Sequence, residues 1–270
     1  MTTATPLDPV AETLLTPLWA RAHAPEVVPD LGFHDPYAAD LLDRTGFDSD
    51  RVLTDHGNVA GTIHRTLVLD DLVRSFAHRH ADAVVVSAGC GLCARDRRLG
   101  PDLPATVTWI GVDAPEVLDV RRDLVDDDPS TLVEASVDDP GWLDDVPVGD
   151  RPAIVLAEGV LMYLDDAGLR GFLTGAARLR AGSEVAADVF HPKVASSDRH
   201  PIVKATGARF RSGARDGAEL AGLVPGFELV AEHDVMERIG RPHRVAAKAF
   251  SVATRGGRMY HLAQLRVTGS

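Results

Sequence analysis

Val84-Val85-Val86-Ser87-Ala88-Gly89-Cys90-Gly91-Leu92 is the stretch on which the fold turns. A short run of β-branched residues with no polar interruption reads as a strand buried on both faces. The small residues after it let the backbone approach a ligand closely, and a helix starting beyond them would aim its positive end at the same place. A Gly-x-Gly behind a strand is weak evidence alone, because ordinary tight turns also produce it. Its weight comes from the surrounding chain.

Val107 to Val112 reads as a second strand, Leu132-Val133 begins a third, Ala153 to Ala157 forms a fourth and Val185 to Phe190 a fifth. Pro115 to Val125 and Asp165 to Leu179 are amphipathic or turn-rich stretches between them. Apolar strands separated by helices predict an α/β fold, a mostly parallel sheet with helices on both faces. Ligands on such sheets sit beyond the carboxyl ends of the strands. The whole chain reads as one domain in four parts. Residues 1–62 form a helical cap, 63–190 the cofactor-binding core, 191–225 a lid or plain surface structure, and 226–270 the closing strands. Glu228 to Val235 and Met259 to Val267 supply two more strands, seven in all, one of them antiparallel at the sheet edge.

At 270 residues the chain can bury a sizeable core. Its net charge of −12, with the acids scattered, disfavours nonspecific binding to nucleic acid or anionic membrane. Met1 to Leu15 carries Asp8 and Glu12 and no basic residue, so no secretory signal is expected. The uncharged run Ala83 to Ala94 is too short to span a bilayer. With only Cys90 and Cys93 there is no disulfide framework, and a soluble cytoplasmic protein is the expectation.

Asp113 ends the second strand, twenty-two residues after Gly91. A carboxylate there can accept from both ribose hydroxyls of an adenosine ligand, or cap the helix that opens at Pro115-Glu116. The third glycine of a dinucleotide fingerprint falls on Ala94, which looser versions tolerate, so the glycines do not separate dinucleotide from adenosylmethionine sites. The fourth strand runs into Ala157-Glu158-Gly159-Val160-Leu161-Met162-Tyr163-Leu164, an acid and an apolar-aromatic run over the middle of the cleft.

Taken with Glu12-Thr13-Leu14-Leu15 to Trp19-Ala20-Arg21-Ala22, His34-Asp35-Pro36-Tyr37-Ala38, Arg65-Thr66-Leu67-Val68-Leu69-Asp70-Asp71, Val112 to Val117 and Met259 to Val267, these motifs resemble the leucine carboxyl methyltransferase family, in its bacterial polyketide O-methyltransferase branch. The resemblance covers nearly the whole chain. It implies a Rossmann-like class I methyltransferase fold with a helical lid, S-adenosyl-L-methionine as cofactor, and a small-molecule carboxylate or hydroxyl as acceptor. By that resemblance Arg65 pairs with the methionyl carboxylate. The loop Gly89, Cys90 and Gly91 lines the methionyl and ribose portion, and Asp113 holds the ribose. Ser136-Val137 contacts adenine, and Glu158 lies against the amino group or the methyl-transfer centre. Two places depart from the family's pattern: Cys93-Ala94-Arg95 stands for Asp-Thr-Arg, and Ser136-Val137 for Asp-Leu. They motivate a second reading, a non-catalytic adenosylmethionine-binding protein of the same fold. A helical arginine can also pair with a nearby acid, here Asp70.

Methyl transfer from a sulfonium is an in-line displacement, so the protein mainly positions the acceptor. A carboxylate acceptor needs no base; a phenol or alcohol does, and histidine is suited to it. His191 directly follows the fifth strand and is the candidate base, with a capping or surface role as the alternative. Tyr163 either lines the acceptor pocket or packs in the core. Cys90-Gly91-Leu92-Cys93 also allows a redox dithiol, although a lone pair without a histidine cluster predicts no metal site and fits small buried residues better.

Overall fold

The computed structural model describes residues 9–45, 54–197 and 209–269. Helices α1 (Pro9–Ala22), α2 (Ala24–Val27), α3 (Pro36–Thr45) and α4 (His56–Arg79) precede the first strand. There follow β1 (Val84–Ala88), α5 (Arg95–Leu99), β2 (Thr108–Asp113), α6 (Pro115–Leu124), β3 (Thr131–Glu134), β4 (Ala153–Ala157), α7 (Asp166–Ala176) and β5 (Glu184–Phe190). The chain closes with α8 (Pro192–Ala195), α9 (Gly217–Gly222), β6 (Phe227–Asp234), α10 (Met236–Ile239), α11 (Arg241–Ala253) and β7 (Tyr260–Val267).

The seven strands form one sheet in the order β3-β2-β1-β4-β5-β7-β6. The pairs among β1 to β5 are parallel, and β7 is antiparallel to both of its neighbours. This corrects the expected antiparallel edge. The reversed strand lies inside the sheet, and β6 is the edge. Burial agrees, since β7 is covered along almost its whole length while β6 is half exposed. Alternation in the sequence marks a strand but not its neighbour.

Strand parity splits the core into two layers. Val84, Val86 and Ala88 of β1 face Leu169, Phe172 and Leu173 of α7, where Trp142 stacks on Phe172. Val85 faces the other way, onto Leu69, Val73 and Phe76 of α4. Asp55 caps α4, its Oδ1 accepting from the Asn58 N–H at 3.0 Å. The helix then runs unbroken to Arg79, so the expected boundary at residue 62 falls inside it, and cap and core share one rod.

The stretch expected as a lid, of which 198–208 lie outside the described residues, is divided in the same way. Val194 and Phe210 face the cavity at the strand ends, whereas Ala214 and Leu220 are buried in the sheet core. Among the described residues no helix is long and apolar enough to cross a membrane.

Candidate active site

A cavity of about 590 Å³ opens beyond the carboxyl ends of β1, β2, β4 and β5, within the ~300–1,000 Å³ usual for small-molecule sites. Its floor is the loop after β1, hung from the end of β2 by the N–H groups of Gly89 and Cys90, which both donate to the Val112 carbonyl. Gly89 has φ +71° and Gly91 φ +47°, conformations that favour glycine. A Cβ at Gly89 would come to 2.4 Å from Val160, and one at Gly91 to 2.8 Å from Leu14. The backbone thus favours glycine at both positions, and at Gly89 the Val160 side chain leaves no room for a Cβ as well.

Asp113 faces this loop at the end of β2. Its Oδ2 accepts from the Gly91 N–H at 2.8 Å and its Oδ1 from the Ala114 N–H at 2.9 Å. Burial pushes this carboxyl up, and the two N–H groups oppose that. Each oxygen keeps a second acceptor position. The residue at the helix cap is Ala114, so Asp113 does not cap α6.

Beside the loop lies a buried chain of opposite charges. Asp35 caps α3 through its Oδ1 and pairs through its Oδ2 with Arg21 at 3.9 Å and Arg98 at 3.5 Å. Arg98 and Arg95 share Asp70, Arg95 at 2.7 Å. Arg95 continues to Glu158 at 2.6 Å, Glu158 to Arg65 at 3.1 Å, and Arg65 to Asp188 at 3.0 Å. Four guanidiniums and four carboxylates therefore alternate, with no net charge. Burial alone would raise the Glu158 carboxyl, but Arg95, Arg65 and Arg21 outweigh it and hold the group well below the usual carboxylate range.

Arg65 accordingly does not pair with Asp70, which its nearer partners Arg95 and Arg98 occupy. Its Nε donates to Glu158 and its Nη1 to Asp188 and the Tyr260 hydroxyl, and among the described residues Nη2 has no partner. Glu158 is held on both oxygens, by Arg65 and Thr66 on Oε1 and by Arg95 on Oε2. Arg21 lines the same cavity. It is buried, and among the described residues its Nε makes no hydrogen bond.

Other expected site residues fall into two groups. Cys90 and Val137 line the cavity. Burial pushes the Cys90 thiol up to about 12, opposite to what a redox thiol needs. Tyr163 also lines it, with its ring tilted on Phe210 at 5.5 Å, and burial pushes its hydroxyl up to about 12, so the group stays a donor. Ser136 is exposed, outside the cavity lining, and its hydroxyl donates to Asp138.

His191 is the main correction. Phe190 turns its ring to the cavity, so the next residue turns away by strand parity. The His191 Nδ1 caps α8 by accepting from the Lys193 N–H at 3.1 Å, and its ring meets Phe250 edge-on at 5.0 Å. Burial lowers the pKa of this imidazole.

The sequence did not single out Asp188, Arg21 or the α10–α11 segment. Met236, Ile239 and His243 from that segment line the cavity. An acid inside an apolar strand, Asp188 in the interior of β5, was the available signal for the first. The helices between β6 and β7 carry no motif.

Residues 14–176 match the leucine carboxyl methyltransferase family. The tetracenomycin polyketide synthesis O-methyltransferase TcmP of Streptomyces glaucescens is 35% identical over 234 residues, 86% of this chain and 85% of that protein. The S-adenosyl-L-methionine-dependent methyltransferase dpfgK of Gibberella zeae is 30% identical over 167 residues, 57% of this chain and 55% of that one. A crystal structure from Thermobifida fusca YX, 18% identical, superposes with a TM-score of 0.56 over 98% of this chain and 100% of its own, which bears on the fold alone.

Proposed function

Because the chain belongs to the leucine carboxyl methyltransferase family and is an S-adenosylmethionine-dependent methyltransferase, we propose that it methylates an oxygen, carboxylate or hydroxyl, of a small aromatic polyketide-like acceptor. The observation that carries the acceptor class is the lining of the cavity away from the glycine loop. Met162, Tyr163, Phe190, Val194, Phe210 and Met236 make it apolar and half aromatic. Such a wall suits a planar ring system.

The cofactor fits the opposite end. The loop has left-handed glycines at Gly89 and Gly91, Asp113 presents two oriented acceptor oxygens, and Val137 supplies an apolar contact. Arg21 and the Arg65 Nη2 would hold the methionyl carboxylate, and Glu158 fixes Arg65 in place for that contact. When bound, the cofactor supplies an already activated methyl group. The protein's own work is to orient the acceptor oxygen and exclude water. Tyr163, kept protonated, donates to the acceptor, and the Phe190 and Phe210 rings hold its plane. The chain acts as one catalytic domain, with α1, the start of α4 and α10–α11 covering the core.

Calorimetry with adenosylmethionine, followed by methyl-release assays on naphthoic acids and hydroxyanthraquinones, tests this. Turnover on either acceptor type is the expected result, and cofactor binding without turnover on any acceptor would favour a non-catalytic role.

A further inference from the structure

Along the side of α4 turned to the cavity there is no side chain at Gly57 or Gly61. A Cβ at Gly57 would come to 3.2 Å from both Asp55 Oδ1 and His243 Nε2, and one at Gly61 to 3.3 Å from Ile239 Cδ1. The α10–α11 pair is therefore seated directly on the first two turns of α4. Asp55, Asn58, Ile239 and His243 line the cavity here. Farther along the same helix stands Arg65, against the cofactor motifs. Eight residues separate Gly57 from Arg65, about 12 Å at the α-helical rise.

The same cavity carries an aromatic wall. Phe190 stacks on Phe210 at 4.8 Å with 27° between their planes, and on Tyr260 at 4.3 Å with 22°. At the first turn of α4 the lining is polar. His243 is half-buried, and among the described residues neither ring nitrogen has a hydrogen-bond partner. Asp55 stands beside it, its Oδ1 already engaged by the Asn58 N–H. An imidazole can both donate and accept, which matches a hydroxyl.

We propose that His243, with Asp55 beside it, binds a hydroxyl at the far end of a flat, elongated acceptor and so sets acceptor length and orientation. This rests on the methyltransferase reading of the cavity and deepens it. His243 is a positioning residue, remote from the reacting oxygen, and the substrate class it selects is a fused-ring phenol with oxygen at both ends.

The test uses a matched pair of probes, 2,6-dihydroxyanthraquinone and 2-hydroxyanthraquinone, which differ in the distal hydroxyl alone. Each is titrated calorimetrically into the protein saturated with S-adenosylhomocysteine. The wild type is expected to bind the dihydroxy probe about five- to tenfold more tightly, the value of one net hydrogen bond. His243→Ala brings the ratio to about one, and His243→Gln, which keeps a donor and an acceptor, restores part of it. Val245→Ala, on the outward face of α11, keeps the wild-type ratio. Retained adenosylhomocysteine binding shows that each variant is folded. An unchanged ratio in His243→Ala, equal wild-type affinities, or failure to bind either probe overturns the proposal. Failure of the wild type to bind adenosylhomocysteine overturns instead the cofactor site on which it rests.

Discussion

Arg95 places its Nη2 2.6 Å from Glu158 Oε2, and neither side chain is more than 10% exposed. Removing one partner of such a pair leaves a buried charge uncompensated, so Arg95→Ala is expected to cost about 3–5 kcal/mol of stability. Urea unfolding measures it. A loss under about 1 kcal/mol would class the pair with exposed ion pairs.

The same carboxylate sets an acid dependence. Native Glu158 is held below its ordinary value, so its contribution is fully present above about pH 4.3 and is lost as the pH falls toward the native value. Stability of the wild type should therefore fall more steeply than that of Glu158→Gln below about pH 4. Parallel curves in acid would show that the arginines do not stabilise the ionised form.

Asp113→Ala should weaken adenosylmethionine binding by about 1.5–3 kcal/mol while the fold survives. The Gly91 N–H loses its acceptor in the same variant, so part of the loss will appear as a looser glycine loop. Calorimetry on a variant with native circular dichroism decides it. Unchanged affinity would remove Asp113 from the site.

Arg21 and Arg65 are separated by their ligands. Arg21→Ala should lose affinity for adenosylmethionine and keep most of its affinity for methylthioadenosine, which has no carboxylate. Arg65→Lys should lose both affinity and stability, because an ammonium cannot replace a guanidinium that bridges Glu158 and Asp188. Equal losses for both ligands in Arg21→Ala would mean general damage to the pocket.

His191→Asn should leave methyl release within about twofold of wild type, since asparagine is also a good helix cap and the ring lies outside the cavity. A loss of a hundredfold would return the residue to the chemistry.

Much of this was legible in the sequence because the signals were local. Gly89, Gly91, Asp113 and Glu158 each follow directly on an apolar run, and strand ends on a parallel sheet converge in space. Pairing was not legible. Asp35, Asp70, Arg95 and Glu158 come from four separate stretches, and only the folded chain shows that Arg98 joins Asp35 to Asp70 and Arg95 joins Asp70 to Glu158. His191 failed for a simpler reason, because one residue beyond a strand end reverses the direction of the side chain. Ser136 failed by position too. Its neighbour Val137 takes the place in the cavity.

The 24-residue helix α4 has a consequence of another kind. It is a calliper of fixed gauge, with one jaw at Asp55 and the other at Arg65. One residue inserted between them would turn the jaws about 100° out of line, so this wall cannot be lengthened gradually. A longer or shorter acceptor would therefore be accommodated at α10–α11, the segment seated against the first turns of α4. Redesign for a new acceptor should begin at Met236, Ile239 and His243 and leave α4 as it is.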